Sequence, residues 1–309
     1  MMRFTRMALA AGSAALLAGA VGPHAGASRS GDALAVRTWS GWETWWRRDA
    51  APVSWNAEAP LAGRVQWRQT EPGIEWGELQ LRGASEAWRT RVVVVRLDPA
   101  RVDLTLDPAF TRNADWSVSD AATDAAVALD AGQFRGSLPW GWVLTKGREV
   151  LRPQYAPLAG AVVVDQAGRV RVVAPDSVET VRAAGGLREA FQSYPMLLDQ
   201  GDIPEPLRVA GLGVSLEHRD ARLALGTTGD GHVVIALTRF DALGLGLGRI
   251  PFGLTSPEMA AVMGALDCRQ AVLLDGGISG QLLVRDREDV RSWPGIRRVP
   301  LGLVARPRQ

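Results

Sequence analysis

Residues 271–284 read AVLLDGGISGQLLV. Ala271 to Leu274 are uniformly apolar, the mark of a short strand buried within a sheet. They run into Asp275-Gly276-Gly277, and a second apolar run, Leu282 to Val284, follows. An ionisable group at the end of so apolar a strand is costly to desolvate unless something uses it. Paired glycines let backbone amides approach a ligand or take up positive φ, and Asp275 and Ser279 would flank that opening. Taken alone, the stretch is equally an ordinary Asp-Gly turn between two strands.

The surroundings alternate strands and turns. Upstream, Ser256 followed by Pro257 at the first helical position starts a helix, and Met259, Val262, Met263 and Leu266 give it one apolar face. Residues 222–226 and 233–237 form a hairpin around Gly229-Asp230-Gly231, and 161–164 and 170–173 another around Asp165-Gln166-Ala167-Gly168. Residues 92–97 and 102–106 flank Asp98-Pro99-Ala100 as a strand–turn–strand unit. Ser119 caps a short helix through Ala125, and 127–129 is a strand ending in Asp130-Ala131-Gly132. Residues 182–191 read as helical, stopping before Tyr194-Pro195, and 63–69 with 75–82 as an edge hairpin. Many strands with few helices packed on them define a mixed, strand-rich α+β domain.

The N-terminus has the order of a secretory leader. Arg3 and Arg6 precede an apolar segment from Met7 to Val21, and Ala25-Gly26-Ala27 supplies a cleavage site before Ser28. The segment is short for a membrane span, and no cysteine follows it to carry a lipid. The expected mature protein is exported, periplasmic or secreted, with no stable membrane insertion. Loss of residues 1–27 removes two arginines and no acid, leaving 33 basic and 33 acidic residues. This balance carries no nucleic-acid footprint. Cys268 is the one cysteine, so an intramolecular disulfide is impossible. As a nucleophile it would need a base, and beyond the leader only His218 and His232 remain; a small core residue is the simpler reading.

Eight of the twelve tryptophans fall between Trp39 and Trp88. Exposed indoles suit sugar stacking, but residues of this size more often pack a segment onto its domain, and packing is the expectation here. The organisation is then a leader over 1–27, a Trp-rich extension over 28–88 and the main domain over 89–309.

Four stretches share one form, a strand delivering a polar residue beside Gly or Pro. They are Ala128-Leu129-Asp130-Ala131-Gly132-Gln133-Phe134, Gln192-Ser193-Tyr194-Pro195-Met196-Leu197, Arg222-Leu223-Ala224-Leu225-Gly226 and Leu274-Asp275-Gly276-Gly277. In this order they resemble the phosphodiester glycosidase family, over about residues 91–304. The resemblance implies release of a sugar from a sugar-1-phosphodiester, typically N-acetylglucosamine linked through phosphate to another sugar. Many bacterial members are associated with exopolysaccharide. The chemistry suits these residue types. Breaking an anomeric bond passes through an oxocarbenium-like state that a carboxylate stabilises or traps. The anionic phosphate calls for a cation, which an arginine fork supplies, and glycine amides complete an anion cradle.

Carried over residue by residue, the resemblance makes Asp275, Arg222 and Asp130 the catalytic group. Asp275 would be the carboxylate and Arg222 the phosphate ligand. Ser193, Gly276, Gly277, Ser279 and Gly132 would bind substrate, a glycan or sugar phosphate. The chain departs from the family in places: Asp130 stands where asparagine is usual, Gln133 where an aromatic is usual, and Leu223 where threonine follows the arginine. Ile278-Ser279-Gly280 replaces a glycine followed by serines. Two other readings stay open. One is a non-catalytic carbohydrate-binding or exopolysaccharide-assembly protein on the same fold. The other, a metal-dependent phosphodiesterase, would need clustered His and Asp ligands, and no H-x-H or H-x-x-E-H signature occurs. No cofactor is expected, although Asp130 and Asp275 could share a structural divalent cation such as calcium.

Overall fold

The run Val92-Val93-Val94-Val95 lacks the alternation of a half-exposed strand because both faces of its sheet are covered. In the computed structural model, Val93, Val95 and Leu97 enter one hydrophobic core while Val92 and Val94 enter another on the opposite face. The structure describes residues 33–56, 59–241, 250–286 and 289–308. The leader expected over 1–27 lies outside them.

The strand Thr90–Leu97 sits mid-sheet between Ile74–Arg82 and Val233–Phe240, antiparallel to both. Beyond Val233–Phe240 come Leu223–Thr228, Cys268–Leu273 and Met196–Leu198; beyond Ile74–Arg82 come Ala33–Thr38 and Gly41–Arg47, with Arg68–Glu71 as a branch. Two five-stranded sheets cover one face. One is centred on Leu187–Ser193, the other on Val127–Asp130 between Leu282–Arg285 and Gly302–Pro307. Leu129, Val162, Val164, Phe191, Leu282 and Leu303 from these sheets meet Val93, Val95, Leu225 and Ile235 from the large one.

The helix Ser256–Ala265 covers the other face. Its start is a capping box: Glu258 N–H donates to Thr255 Oγ1 at 3.3 Å, and Thr255 N–H to Glu258 Oε2 at 2.9 Å. Met259, Val262, Met263 and Leu266 are core residues, as their spacing predicts, but Ala260, Ala261 and Ala265 are buried too. Glu258, fully enclosed, is matched by a bidentate Arg219 at 2.6 and 2.8 Å, the geometry that makes a buried carboxylate tolerable.

Two helical expectations are not met as α-helix, one giving a 3-10 turn and the other a strand. Ser119 to Ala125 contains only the 3-10 turn Val118–Asp120, closed by Asp120 Oδ2 accepting the Ser117 N–H at 2.8 Å. One turn of so short a segment does not propagate without tertiary support. Of residues 182–191, the helix is Val178–Ala184; it stops at Gly185 and Gly186, both at positive φ, and Leu187–Ser193 is a strand. Its six register pairs with Gly160–Asp165 override the local helical pattern. The hairpin of Arg68–Glu71 and Ile74–Arg82 forms, but the second strand is interior: Ile74 and Trp76 enter one core, Leu79 and Leu81 the other. The molecule is mostly β, with two α-helices among the described residues packed on antiparallel sheets. The α+β label holds loosely, because hairpins rather than helical crossovers join most neighbours.

Most of the early tryptophans pack. Trp46, Trp55 and Trp76 are buried, and Trp45 lies 6.2 Å from Trp55, ring to ring. Trp42 and Trp67 carry the guanidinium groups of Arg82 and Arg96 on their faces, each at 4.6 Å; Trp39 is exposed. Cys268 is a buried free thiol whose pKa is pushed up by burial, which removes the thiolate that nucleophilic chemistry needs.

Candidate active site

The strand Cys268–Leu273 delivers the chain to Asp275 at the end of the large sheet. The turn that follows is built on glycine for steric reasons. A Cβ on Gly276 would collide with the Ala221 carbonyl oxygen, and one on Gly277, at φ +56°, would lie 2.9 Å from Asp220 Oδ2. Gly277 N–H donates to Ala221 O at 2.7 Å, and the Ser279 and Gly280 amides donate to Gly276 O at 3.0 and 3.1 Å. Buried Arg239 donates to the carbonyls of Gly280 and Trp293, bracing the turn from behind.

Asp275 is largely desolvated, and that burial lifts its pKa to about 6; Asp220 pushes the same way, while the Ser279 hydroxyl, Arg297 and the Gly276 amide oppose it. Asp130, from the sheet on the other side of the core, is fully buried. Its Oδ1 accepts the Gln281 N–H at 2.8 Å, and its Oδ2 has no hydrogen-bond partner. Desolvation first, then the charge of Asp275, raises its pKa well above the carboxylate range. Burial and a neighbouring carboxylate thus push both carboxyls toward the neutral form, and Asp130 is the more deeply enclosed of the two.

Arg222 stands on the neighbouring strand, just before Leu223–Thr228. The site a Gly276 Cβ would occupy lies 3.4 Å from its Cα. Its Nε donates to Leu254 O at 2.9 Å and its Nη2 to His218 O at 2.7 Å. Among the described residues it forms no ion pair. Burial lowers its pKa, while Asp220 and Glu258 act on it electrostatically and raise it. A half-buried guanidinium fixed by carbonyls and lacking a contact counter-ion is a ready anion ligand.

Ser193 and Gly132 are both buried, along the Gln192–Tyr194 backbone. Ser193 is fully buried, its hydroxyl shared between Gln133 Oε1 at 3.0 Å and Leu273 O. It ties strand to strand and presents no surface. Gly132, at φ +66°, lets the backbone pass the Gln192 carbonyl, where a Cβ would come within 2.7 Å. These two residues support the site wall, whereas Asp130, Asp275, Ser279, Gly276, Gly277 and Arg222 surround one turn.

Three further residues belong to the cluster. Asp220 accepts from Ala221 N–H at 2.9 Å and lies 3.7 Å from His218 Nε2. Gln133 Nε2 donates to the carbonyls of Tyr194 and Leu274, and its Oε1 accepts from Tyr194 N–H at 2.8 Å. Arg297, exposed and 4.6 Å over the Phe134 ring, acts on Asp275 as a second cation. Asp220 could have been found from its place two residues before Arg222. Nothing local marks Arg297: it arrives because its backbone N–H bonds Ile278 O at 3.0 Å across the fold. For a metal, the donor set is poor. Among the described residues no group of three or more His, Cys, Asp or Glu is placed to hold an ion, and a hard cation such as calcium wants six or more oxygens.

Residues 120–306 match the family model of phosphodiester glycosidases. The chain belongs to the phosphodiester glycosidase family. Asp130, Asp275 and Arg222 all lie within the matched span, which excludes the strands before residue 120 that complete the large sheet. No curated protein matches the sequence. Among solved structures, this phosphodiester glycosidase domain is similar to the catalytic domain of zebrafish N-acetylglucosamine-1-phosphodiester alpha-N-acetylglucosaminidase, auto-inhibited by its pro-peptide. Identity is 15%, 84% of this chain and 92% of that one are covered, and the TM-score is 0.58. A hypothetical protein from Synechocystis is similar at 16% identity, covering 86% of this chain and 65% of that one, with a TM-score of 0.54. At such identities these structures share the fold.

Proposed function

We propose that this protein is an exported hydrolase that cleaves the sugar–phosphate bond of a sugar-1-phosphodiester in envelope or extracellular glycans. The observation that carries the reading is the packing of the Asp275 turn on the segment that begins the Arg222 strand: Gly277 N–H donates to Ala221 O at 2.7 Å, and the half-buried Arg222 is held by Leu254 O and His218 O with no ion pair among the described residues. Arg222, assisted by Arg297, holds the phosphodiester. Asp275 faces the anomeric carbon and supports the positive charge that develops as the C1–O bond breaks. The phosphate departs with that bond's electron pair as a phosphomonoester, and water supplies the oxygen at C1. Asp130, buried behind the turn, accepts the Gln281 N–H and so fixes the end of the segment that carries Asp275. Ser279 orients Asp275 through its hydroxyl.

Hydrolysis of a sugar-1-phosphodiester in 18O-labelled water tests this. The label is expected in the released sugar. Label in the phosphate would mean P–O cleavage and would overturn the assignment. Saturable binding with no turnover across a panel of such diesters would favour the carbohydrate-binding or assembly role. No helix among the described residues is long and apolar enough to cross a membrane. Export rests on the leader signature, and N-terminal sequencing of the processed protein is expected to begin at or near Ser28.

A further inference from the structure

A pocket of about 410 Å³ is lined by Trp140, Pro157, Leu158, Tyr194, Leu212 and Gln133, and Gln133 joins it to the backbone just before Asp275 through Leu274 O. In the order of the large sheet, Cys268–Leu273 lies between Met196–Leu198, which follows Tyr194, and Leu223–Thr228, which follows Arg222. The backbone leading to Asp275 is accordingly held from two sides. Gln133 Nε2 bonds Leu274 O at 3.3 Å on the pocket side, and Leu274 N–H bonds Leu223 O at 2.8 Å on the arginine side. The pocket therefore borders the strand end that leads into Asp275, on the side away from Arg222.

The side-chain polar groups of Gln133 and Tyr194 in its wall are already engaged. The Gln133 amide is satisfied by the Tyr194 and Leu274 carbonyls, the Ser193 hydroxyl and the Tyr194 amide. The Tyr194 hydroxyl donates to Gly213 O at 3.2 Å, and desolvation raises its pKa. A pyranose inserted here would give up water from its hydroxyls and find few partners, which is unfavourable. An apolar group would lose nothing and gain contact with Trp140, Leu158 and Leu212.

We infer that this pocket receives an acyl or alkyl substituent carried by the sugar whose anomeric carbon faces Asp275, so that the preferred substrate is an acylated glycosyl phosphodiester. The identity of the sugar rests on the function proposed above; the apolar character of the pocket does not.

The test compares N-acetyl with N-octanoyl glucosamine 1-phosphate methyl diester as substrates, and N-acetyl with N-octanoyl glucosamine as calorimetric ligands that require no turnover. Each buried methylene is worth about a factor of four, so the octanoyl forms are expected to gain more than tenfold in kcat/KM and in affinity. Leu212 is 46% exposed, and both Leu212→Asp and Leu212→Ser are expected to fold and to abolish the octanoyl preference. Chain-length-dependent binding that is lost in these variants, without turnover of any diester, would sustain the pocket and reject the enzymatic reading. Turnover with no chain-length preference would do the reverse. A preference that survives both substitutions, or one seen only for an octyl group on the phosphate, overturns the inference.

Discussion

Asp275 and Asp130 differ in what surrounds them. Both are pushed toward the neutral form, yet Asp275 has Ser279, Arg297 and an amide to support its charge, while one oxygen of Asp130 has no partner. Asp275→Asn is expected to lower kcat by several kcal/mol of barrier, on the order of a thousandfold or more, with little change in KM. Arg222→Ala is expected to raise KM as well as lower kcat, since phosphate is held in both ground and transition states. Steady-state kinetics on one diester separates the two. Activity is expected to rise with pH through about 6 as Asp275 ionises. Stability should move the other way: a carboxyl whose folded pKa lies above its unfolded value contributes most below pH 4 and loses that contribution as pH rises through 6. Thermal melts should therefore show Asp275→Asn gaining on the wild type, by on the order of 1–3 kcal/mol at pH 8 and by less at pH 5. A uniform gain at both pH values would argue against this titration. The glycine turn after the apolar strand Cys268–Leu273 packs on the segment just before Arg222, and that turn was legible from the sequence. Arg297 was not, because its proximity depends on a contact remote in sequence.

At the scale of elements, the turn after Cys268–Leu273 tolerates no side chain where it crosses the 220–222 segment. Gly276→Ala is expected to cost about 2 kcal/mol or more, because a carbonyl oxygen must move, and to depress kcat disproportionately. Ile278→Ala, at an exposed position of the same turn, should change the melting temperature little. Hairpins were the readable elements. Gly160–Asp165 with Val170–Val173, and Leu223–Thr228 with Val233–Phe240, pair as their turn residues and apolar runs predict. The segment after Val178–Ala184 was misread because Arg188, Glu189 and Ala190 suit a helix while neighbouring strands impose extension. Helix Ser256–Ala265 was readable from Pro257 and its spacing, although burial all round hides its amphipathic character.

Across the whole molecule, local patterns identified strands but not their partners. Thr90–Leu97 and Val102–Asp107 follow each other in sequence yet join different sheets, pairing with Val233–Phe240 and Gly302–Pro307. The same long-range pairing places the Trp-rich segment inside the large sheet: Ile74–Arg82 matches Thr90–Leu97 over eight register pairs. A chain shortened to begin at Arg89 is expected to lose its cooperative thermal transition, because Leu79, Leu81 and Trp76 would no longer close the two cores. A sharp, near-native melt would show instead that the segment is dispensable. The turn carrying Asp275 has a second role in this architecture. Gln281 gives its backbone N–H to Asp130 and takes the Val118 N–H on its side-chain oxygen, so the turn stitches the large sheet to the sheet opposite. Occupancy of the site and cohesion of the layers are then thermodynamically linked. A ligand that steadies residues 275–281 should slow hydrogen exchange along Val127–Asp130, a strand it hardly touches, and the protection should scale with affinity.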